Sequence, residues 1–318
     1  MPQFDRSVKV QIGKVNQTGL EISGLRTTFK IKKTSTTDFN TAKVELYNLN
    51  EKSRGYIEGI GDDLVAAGAQ ASDDIVTVIA GYKGAERAIY IGNITLTNTE
   101  VKRPEVITTL EALDGLKAIN ELKFPSANYR ATYSGENVSA KRVLQDVVKQ
   151  VALPLANTNW RSIADKQYRK GFAFVGAGRV LLTNVCVYLG LEWSVQNNEL
   201  KLVPVNASDE LQVVSLDPTN GLIESPQRLQ DASSYLHAKK DSRSAVGKST
   251  PAAGKVQKKK VLGGLKVRCL LRPEVDPGNI VQIASERFPQ ALYRVVEVEH
   301  TGDTHGNDWT TTMVVMPL

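Results

Sequence analysis

The sequence predicts an α+β protein that is mainly β, with two β-barrel or curved-sheet domains and a small α/β module between them. Apolar and polar residues alternate in the first and last thirds of the chain, as is typical of strands with one buried face. In the middle third, apolar residues recur at helical spacing. A length of 318 residues suits two or three domains. We therefore predict an N-terminal β domain over 1–116, an α/β module over 117–205 and a C-terminal β domain over 206–318.

The N-terminal third is predicted to be a series of strands that is interrupted once. Hydrophobic side chains occupy every second position in several short runs, and Gly, Asn and Asp mark the breaks. These runs contain Val8, Val10 and Ile12; Phe29 and Ile31; Val44 and Leu46; Ile89 and Ile91; and Ile94 and Leu96. Residues 51–68 depart from the period of two, so we expect one short helix there.

The middle third is predicted to hold two helices and a hairpin. An amphipathic helix runs from about Val143 and ends before Pro154, which cannot continue a helix. A second helix over about 179–189 ends at Gly190, which suits a left-handed cap. The hairpin that follows turns at Asn197 and Asn198, because Asn tolerates the positive φ that a tight turn needs.

The last third returns to strands. Residues 265–271 alternate between apolar and polar side chains, and 276–279 (DPGN) are a turn signal that precedes a strand over 280–283. Residues 293–299 and 309–316 read as a hairpin, joined by a loop rich in Gly and Asp.

Composition excludes several classes of protein. Hydrophobic residues make up 41% of the chain, but no run approaches the ~18 apolar residues of a membrane helix. The N-terminus lacks the apolar core of a signal peptide, so we do not expect export by that route. Two cysteines exclude a disulfide framework.

Positive charge is concentrated in one segment. The chain carries a net charge of +6, and residues 238–260 alone contain eight basic residues and one acid. The basic residues are Lys239, Lys240, Arg243, Lys248, Lys255, Lys258, Lys259 and Lys260. Because this stretch has too few apolar residues to offset the entropy of ordering, we predict a mobile basic loop over 238–262. It could contact a partner or phosphates by charge, or it could be a solvated linker.

No set of residues predicts catalysis, a cofactor site or a metal site. His300, Asp303, His305 and Asp308 have metal-binding chemistry, but the same residues suit a hairpin turn, which we favour. Glu297 and Glu299 share one face of a strand, and a glycosidase pair is the weaker interpretation.

The remaining motifs have simple structural interpretations. Cys186 and Cys269 fall on apolar faces and are expected to be buried. Gly176, Ala177 and Gly178 read as a turn into a helix and not as a dinucleotide site.

Several segments, in order, resemble baseplate hub proteins of contractile-tailed bacteriophages. The N-terminal segments are 29–33 (FKIKK), 40–50 (NTAKVELYNLN), 78–82 (VIAGY) and 89–95 (IYIGNIT). The middle module contributes 153–155 (LPL) and 189–193 (LGLEW), and the C-terminal domain 265–279 (LKVRCLLRPEVDPGN) and 293–302 (YRVVEVEHTG).

The resemblance implies two tube-like β domains per subunit and a homotrimer that forms a pseudo-sixfold ring. Such a ring joins the hexameric tail tube to the trimeric spike, contacts other baseplate proteins, and lines a channel through which genomic DNA passes without specific binding. The expected location is the tail baseplate of the virion, after assembly in the host cytoplasm and without membrane insertion. The alternatives are another tail component, such as a tube initiator or distal tail protein, and a tail-associated cell-wall hydrolase.

Overall fold

A computed structural model describes most of the chain. The described residues are 5–14, 19–36, 38–115, 129–151, 153–156, 158, 160–161, 163–204, 213–229 and 263–318. Within them, no helix combines the length and the apolar character that crossing a bilayer requires.

The described residues of the N-terminal part form seven strands and one helix, and strands contain the alternating runs that the sequence analysis named. The strands are β1 (Arg6–Lys14), β2 (Leu20–Ser23), β3 (Thr27–Thr34), β4 (Thr41–Tyr47), β5 (Asp74–Tyr82), β6 (Arg87–Lys102) and β7 (Glu105–Leu113). The helix α1 (Glu51–Ala67) lies within the predicted interruption. The side chain of Asn50 caps its N-terminus by accepting a hydrogen bond from the Ser53 amide.

The middle part contains both predicted helices and the predicted hairpin. Its elements are β8 (Tyr129–Tyr133), β9 (Val138–Ser139), α2 (Ala140–Lys149), β10 (Gln167–Tyr168), β11 (Phe172–Gly176), α3 (Gly178–Leu189), β12 (Leu191–Gln196) and β13 (Glu199–Pro204). Gly190 ends α3 with φ = 78°, and Asn197 and Asn198 turn the hairpin with φ = 54° and 65°. These three positions confirm the turn chemistry read from the sequence.

The C-terminal part is again made of strands. They are β14 (Val213–Leu216), β15 (Gln227–Arg228), β16 (Leu265–Leu270), β17 (Ile280–Ser285), β18 (Phe288–Asp303) and β19 (Trp309–Pro317). The β18–β19 pair is the hairpin that the sequence predicted.

Thirteen of these strands form one hydrogen-bonded sheet. Its main path runs β15-β16-β19-β18-β3-β4-β7-β6-β5-β1-β2, and β17 pairs with β18 and, in parallel, with β14. The N-terminal and C-terminal strands meet where β3 pairs antiparallel with β18. The two ends of the path do not pair with each other among the described strands, so the sheet is open rather than closed into barrels.

Buried hydrophobic side chains form three main clusters, drawn from residues 8–112, 131–202 and 216–315. Leu271 and Trp309 belong to the first cluster although they lie in the last third of the chain. C-terminal residues therefore complete the N-terminal core. The domain limits at 116 and 205 fall outside the described residues and stay predictions.

Candidate functional site

The face of the sheet opposite Phe29 and Ile31 is polar where β3 meets β18. Alternation along β3 buries Phe29 and Ile31 and directs Lys30 and Lys32 outward. Lys30 Nζ lies 3.4 Å from Glu299 Oε1, and Lys32 Nζ lies 3.1 Å from Glu297 Oε2. Each lysine thus pairs with its diagonal neighbour on β18, a contact that favours this register.

This polar face continues across the strands on either side. We define it by the outward charged residues Lys30, Lys32, Lys43, Glu45, Lys266, Arg268, Glu297 and Glu299, and call it the polar sheet face. Lys43 pairs with Glu45 at 3.1 Å, and Arg268 pairs with Glu224 at 3.0 Å. Most of its charges therefore have a neighbour of opposite sign, and its basic residues outnumber its acids by only two.

An open cavity of about 290 Å³ lies at one side of the polar sheet face. Its lining consists of Glu224, Ser225, Gln227, Lys266, Arg268, Glu299, Thr301, Asp308, Thr310 and Thr312. No His or Cys is among these residues, and Glu224 and Glu299 are each ion-paired. The cavity thus holds no activated nucleophile or general base with a positioned partner.

Behind this face, a buried lysine connects the N-terminal and C-terminal strands. Lys33, at the end of β3, is fully buried, and its Nζ lies 2.7 Å from Asp276 Oδ1. Burial raises the pKa of Asp276, but the charge and hydrogen bond of Lys33 outweigh it, so the pKa lies below its ordinary value. Asp276 is therefore ionised at neutral pH, and its contact with Lys33 joins the two parts.

His300 on β18 lies close to this ion pair and is also fully buried. Its Nδ1 is 2.9 Å from Thr311 Oγ1, while its Nε2 has no hydrogen-bond partner among the described residues. Burial, followed by the positive charge of Lys33, lowers the pKa of His300 to about 4. The imidazole is therefore neutral at physiological pH.

A second buried network connects the N-terminal strands to the middle module. The Asn40 amide nitrogen donates to Asp114 Oδ2 at 3.0 Å, to the Val195 carbonyl at 2.8 Å and to Gln196 Oε1 at 3.0 Å. The Asp114 carboxylate also accepts from the amides of Asn197 and Asn198, both at 2.7 Å. Burial raises the pKa of Asp114, against the hydrogen bonds from Asn198 and Asn40. The β12–β13 turn is therefore held against the end of β7.

A third contact connects the middle module to the C-terminal strands. Arg294 Nη2 on β18 donates to Glu192 Oε2 on β12 at 2.9 Å, and both side chains are almost fully buried. The three parts of the chain are thus joined pairwise by buried polar contacts. Removing one partner of such a contact would leave the other partner desolvated, without a hydrogen bond or a counterion.

The loop over 304–308, between β18 and β19, docks on the N-terminal strands, whereas His300 lies in β18 and not in a turn as the sequence analysis expected. Asp303 Oδ2 accepts from Arg26 Nη2 at 3.1 Å, and Asp303 Oδ1 accepts from the His305 amide at 2.8 Å. The Thr304 amide donates to the Thr27 carbonyl at 3.1 Å. Asp303 is therefore used by the turn and by Arg26. No group of three or more potential metal ligands occurs in the described part of the chain.

The other residues that the sequence singled out lie in ion pairs, in the buried core or next to the start of a helix. Glu297 and Glu299 are the ion-paired residues of the polar sheet face and face lysines, not each other. Cys186 and Cys269 are buried, as predicted, and burial raises the pKa of both thiols, that of Cys269 to about 12. Ala177 is the residue that precedes α3, as the turn interpretation expected.

The eight basic residues from Lys239 to Lys260 lie outside the described residues. Their flanks are described: the Leu229 amide donates to the Gly264 carbonyl at 2.9 Å, and β15 pairs with β16. The described chain on either side, β15 and β16, is therefore paired at the edge of the sheet.

Sequence reasoning missed the buried polar residues at the joints. Lys33, Asn40 and Asp114 were not singled out, although a signal exists for the first. In the alternation of β3, Lys33 is in phase with the buried Phe29 and Ile31, which predicts an inward-facing lysine that needs a partner.

No family model matches this sequence, and no curated protein matches it. Several solved structures are similar to this chain. The 43 kDa tail protein of prophage MuSo2 from Shewanella oneidensis gives a TM-score of 0.59 at 10% identity, and the match covers 98% of each chain. The tail protein from Neisseria meningitidis MC58 gives 0.60 at 10% identity, over 99% of this chain and 97% of that one. The chain has the fold of these tail proteins.

A third structure extends the tail-protein fold to a secretion system. The E. coli c3393 protein is described as a type VI secretion component with structural similarity to the T4 bacteriophage tail proteins gp27 and gp5. It gives a TM-score of 0.58 at 8% identity, over 98% of this chain and 77% of its own. The resemblance read from the sequence is therefore confirmed at the level of the fold.

Proposed function

We propose that this chain is a structural subunit of a phage tail, namely the central hub of a contractile-tail baseplate. The observation that carries the proposal is the match of nearly the whole chain, in both directions, to two phage tail proteins. Both groups of strands and the middle module take part in that match. In this proposal three copies form a pseudo-sixfold ring that joins the tail tube to the spike, and the protein is located in the virion tail.

The polar sheet face is the surface that we assign to the channel. It crosses β3 and β18 without interruption, and its lysines and glutamates are paired side by side. A wall of unpaired cations would hold DNA phosphates, whereas paired charges reduce that attraction. The face is therefore suited to let DNA pass without specific binding.

The buried contacts between the three parts fit a mechanical role and supply no catalytic step. Lys33–Asp276 and Arg294–Glu192 join parts that are distant in sequence. A subunit that transmits force between a tube and a spike needs parts that keep a fixed relation. We assign no residue a catalytic role and no cofactor to the chain.

Negative-stain class averages of the purified chain, alone and mixed with its candidate spike protein, test the proposal. We expect a threefold ring with an open centre. A sixfold ring would favour the tube-initiator or distal-tail alternative. Single-subunit particles under all conditions would contradict the hub, and a turbidity assay on peptidoglycan with a Glu297→Gln control would then test the hydrolase alternative.

A further inference from the structure

The middle module is much more basic than the parts on either side. Residues 117–205 contain twelve Lys and Arg residues against six Asp and Glu. Residues 1–116 contain fourteen against fifteen, and residues 206–318 without 238–260 contain six against twelve. The middle module therefore carries a net positive charge of its own, in addition to that of the Lys-rich segment.

Part of this charge is gathered on one short exposed stretch beside two tyrosines. Lys166, Arg169 and Lys170 are exposed on either side of Tyr168, which stacks on Tyr188 of α3 with ring centroids 4.6 Å apart. Lys166 also lies over the Tyr188 ring, 5.5 Å from its centroid. We call these five residues the basic–aromatic face.

The basic–aromatic face has the chemistry of a protein-binding surface. No ion pair of Arg169 or Lys170 occurs among the described residues, so their charges are available to a partner. Val187, beside Tyr188, is 48% exposed. Tyrosine and arginine next to apolar surface are enriched in protein interfaces. The two rings stack mainly on each other, so neither is arranged as a free platform for nucleic-acid bases.

The chain itself carries a surface of complementary charge. Between Arg54 and Lys83 the sequence holds five acids and no Lys or Arg. Asp62 and Asp63 are exposed on α1 next to Val65, which is 84% exposed.

We propose that the basic–aromatic face of one copy binds the outer surface of α1, at Asp62, Asp63 and Val65, on a second copy. Both surfaces are exposed within a single copy, so neither covers the other there. Two different surfaces that bind each other form a head-to-tail contact, which generates a ring when the rotation closes. The inference rests on the proposed function, because it names the contact that would assemble its ring.

A charge-swap experiment on the full chain tests this contact. The variants are Arg169→Glu with Lys170→Glu, Asp62→Lys with Asp63→Lys, and all four substitutions together. We expect each double substitution alone to weaken self-association about tenfold, because it places like charges opposite each other at the contact. The four substitutions together restore opposite charges and should recover most of the association. Sedimentation velocity at low and high salt measures the assembly, and circular dichroism checks the fold.

The matched control is Lys9→Glu with Lys83→Glu, the same charge change at one exposed lysine of β1 and one in the turn after β5. It should leave assembly unchanged. A wild-type ring that survives both charge reversals would overturn the contact and leave the hub proposal standing. Equal weakening by the control, or no recovery in the fourfold variant, would also overturn it. A wild-type chain that stays monomeric at every concentration and salt would overturn both the contact and the ring.

Discussion

At the residue scale, the joint between the β3 and β18 strands depends on a few buried polar groups. The phase of the alternation places Lys33 inward, and it also places His300 inward beside Val298. This phase is the signal for burial of both residues, although the sequence analysis assigned His300 to a turn and did not single out Lys33. It does not predict their partners, because Asp276 lies more than 240 positions from Lys33 and nothing local links them.

Replacing Asp276 by Asn should destabilise the protein by about 3 kcal/mol, because Lys33 would be left buried without a counterion. Urea unfolding followed by circular dichroism measures the change. Asp308→Asn, at an exposed carboxylate, is the control and should have little effect. The double variant Lys33→Met with Asp276→Asn should recover part of the loss. Equal stability of wild type and Asp276→Asn would show that the pair does not hold the joint.

His300 should make the protein sensitive to acid. Its pKa of about 4 in the folded chain lies below the ordinary value of 6.5. The unfolded chain therefore binds a proton first as the pH falls, and stability is lost between pH 6.5 and about 4, by up to about 3 kcal/mol.

His300→Asn removes the titrating group and can keep a hydrogen bond to Thr311. The difference in unfolding free energy between wild type and this variant should change by up to about 3 kcal/mol between neutral pH and pH 4. Subtracting the variant cancels the titration of groups that do not interact with His300, such as Asp114. A pH-independent difference would contradict the assignment.

At the element scale, local signals predicted most of the structure. Helix ends followed from Gly190, and the β12–β13 and β18–β19 hairpins followed from alternation and turn residues. The pairing of β3 with β18 did not follow. Each strand has a polar and an apolar face that would suit several neighbours, and the choice depends on diagonal charge pairs and on the buried Lys33.

The β12–β13 turn gives a prediction at this scale. Asn198 has φ = 65°, a conformation that costs most residues about 1 kcal/mol but costs Gly nothing. Asn198→Ala should therefore lower the unfolding free energy by about 1 kcal/mol, while Asn198→Gly should leave it nearly unchanged. The backbone amide that donates to Asp114 is kept in both variants. Equal losses would mean that the side chain, and not the backbone conformation, matters here.

At the scale of the whole molecule, the parts of the chain differ in their balance of basic and acidic residues. Composition located the Lys-rich segment at once, because eight basic residues stand within 23 positions. The basic middle module escaped notice, since its charges are spread over 89 residues and half are offset by acids. Arg169 and Lys170 stand out in the folded chain because they are exposed, have no ion pair among the described residues and lie next to the stacked rings of Tyr168 and Tyr188.

Deleting residues 239–260 should weaken binding to an acidic ligand. Random-sequence duplex DNA at low salt is the probe, with fluorescence anisotropy as the measurement. We expect the slope of log affinity against log salt to fall by several units, because up to about eight cations are lost. A variant of equal length with the same eight basic residues changed to Ser separates charge from length. Unchanged binding would make the segment a solvated linker.

The joining of the three parts should make unfolding cooperative. One sheet runs through the N-terminal and C-terminal strands, Leu271 and Trp309 complete the N-terminal core, and Asn40 and Asp114 fix the middle module. If one part unfolded alone, the other parts would lose buried partners and would be destabilised. The three parts should therefore unfold together.

We therefore expect one calorimetric transition for the isolated chain, with equal van't Hoff and calorimetric enthalpies. Asn40→Ala should uncouple the middle module, because it removes the amide that donates to Asp114, Val195 and Gln196 at once. A second, earlier transition should then appear. Thr36→Ala, on the same connection but partly exposed, is the control and should keep a single transition. Two transitions already present in the wild type would mean that the parts are docked without being thermodynamically joined, and the fixed relation that a force-bearing hub needs would have to come from neighbouring subunits.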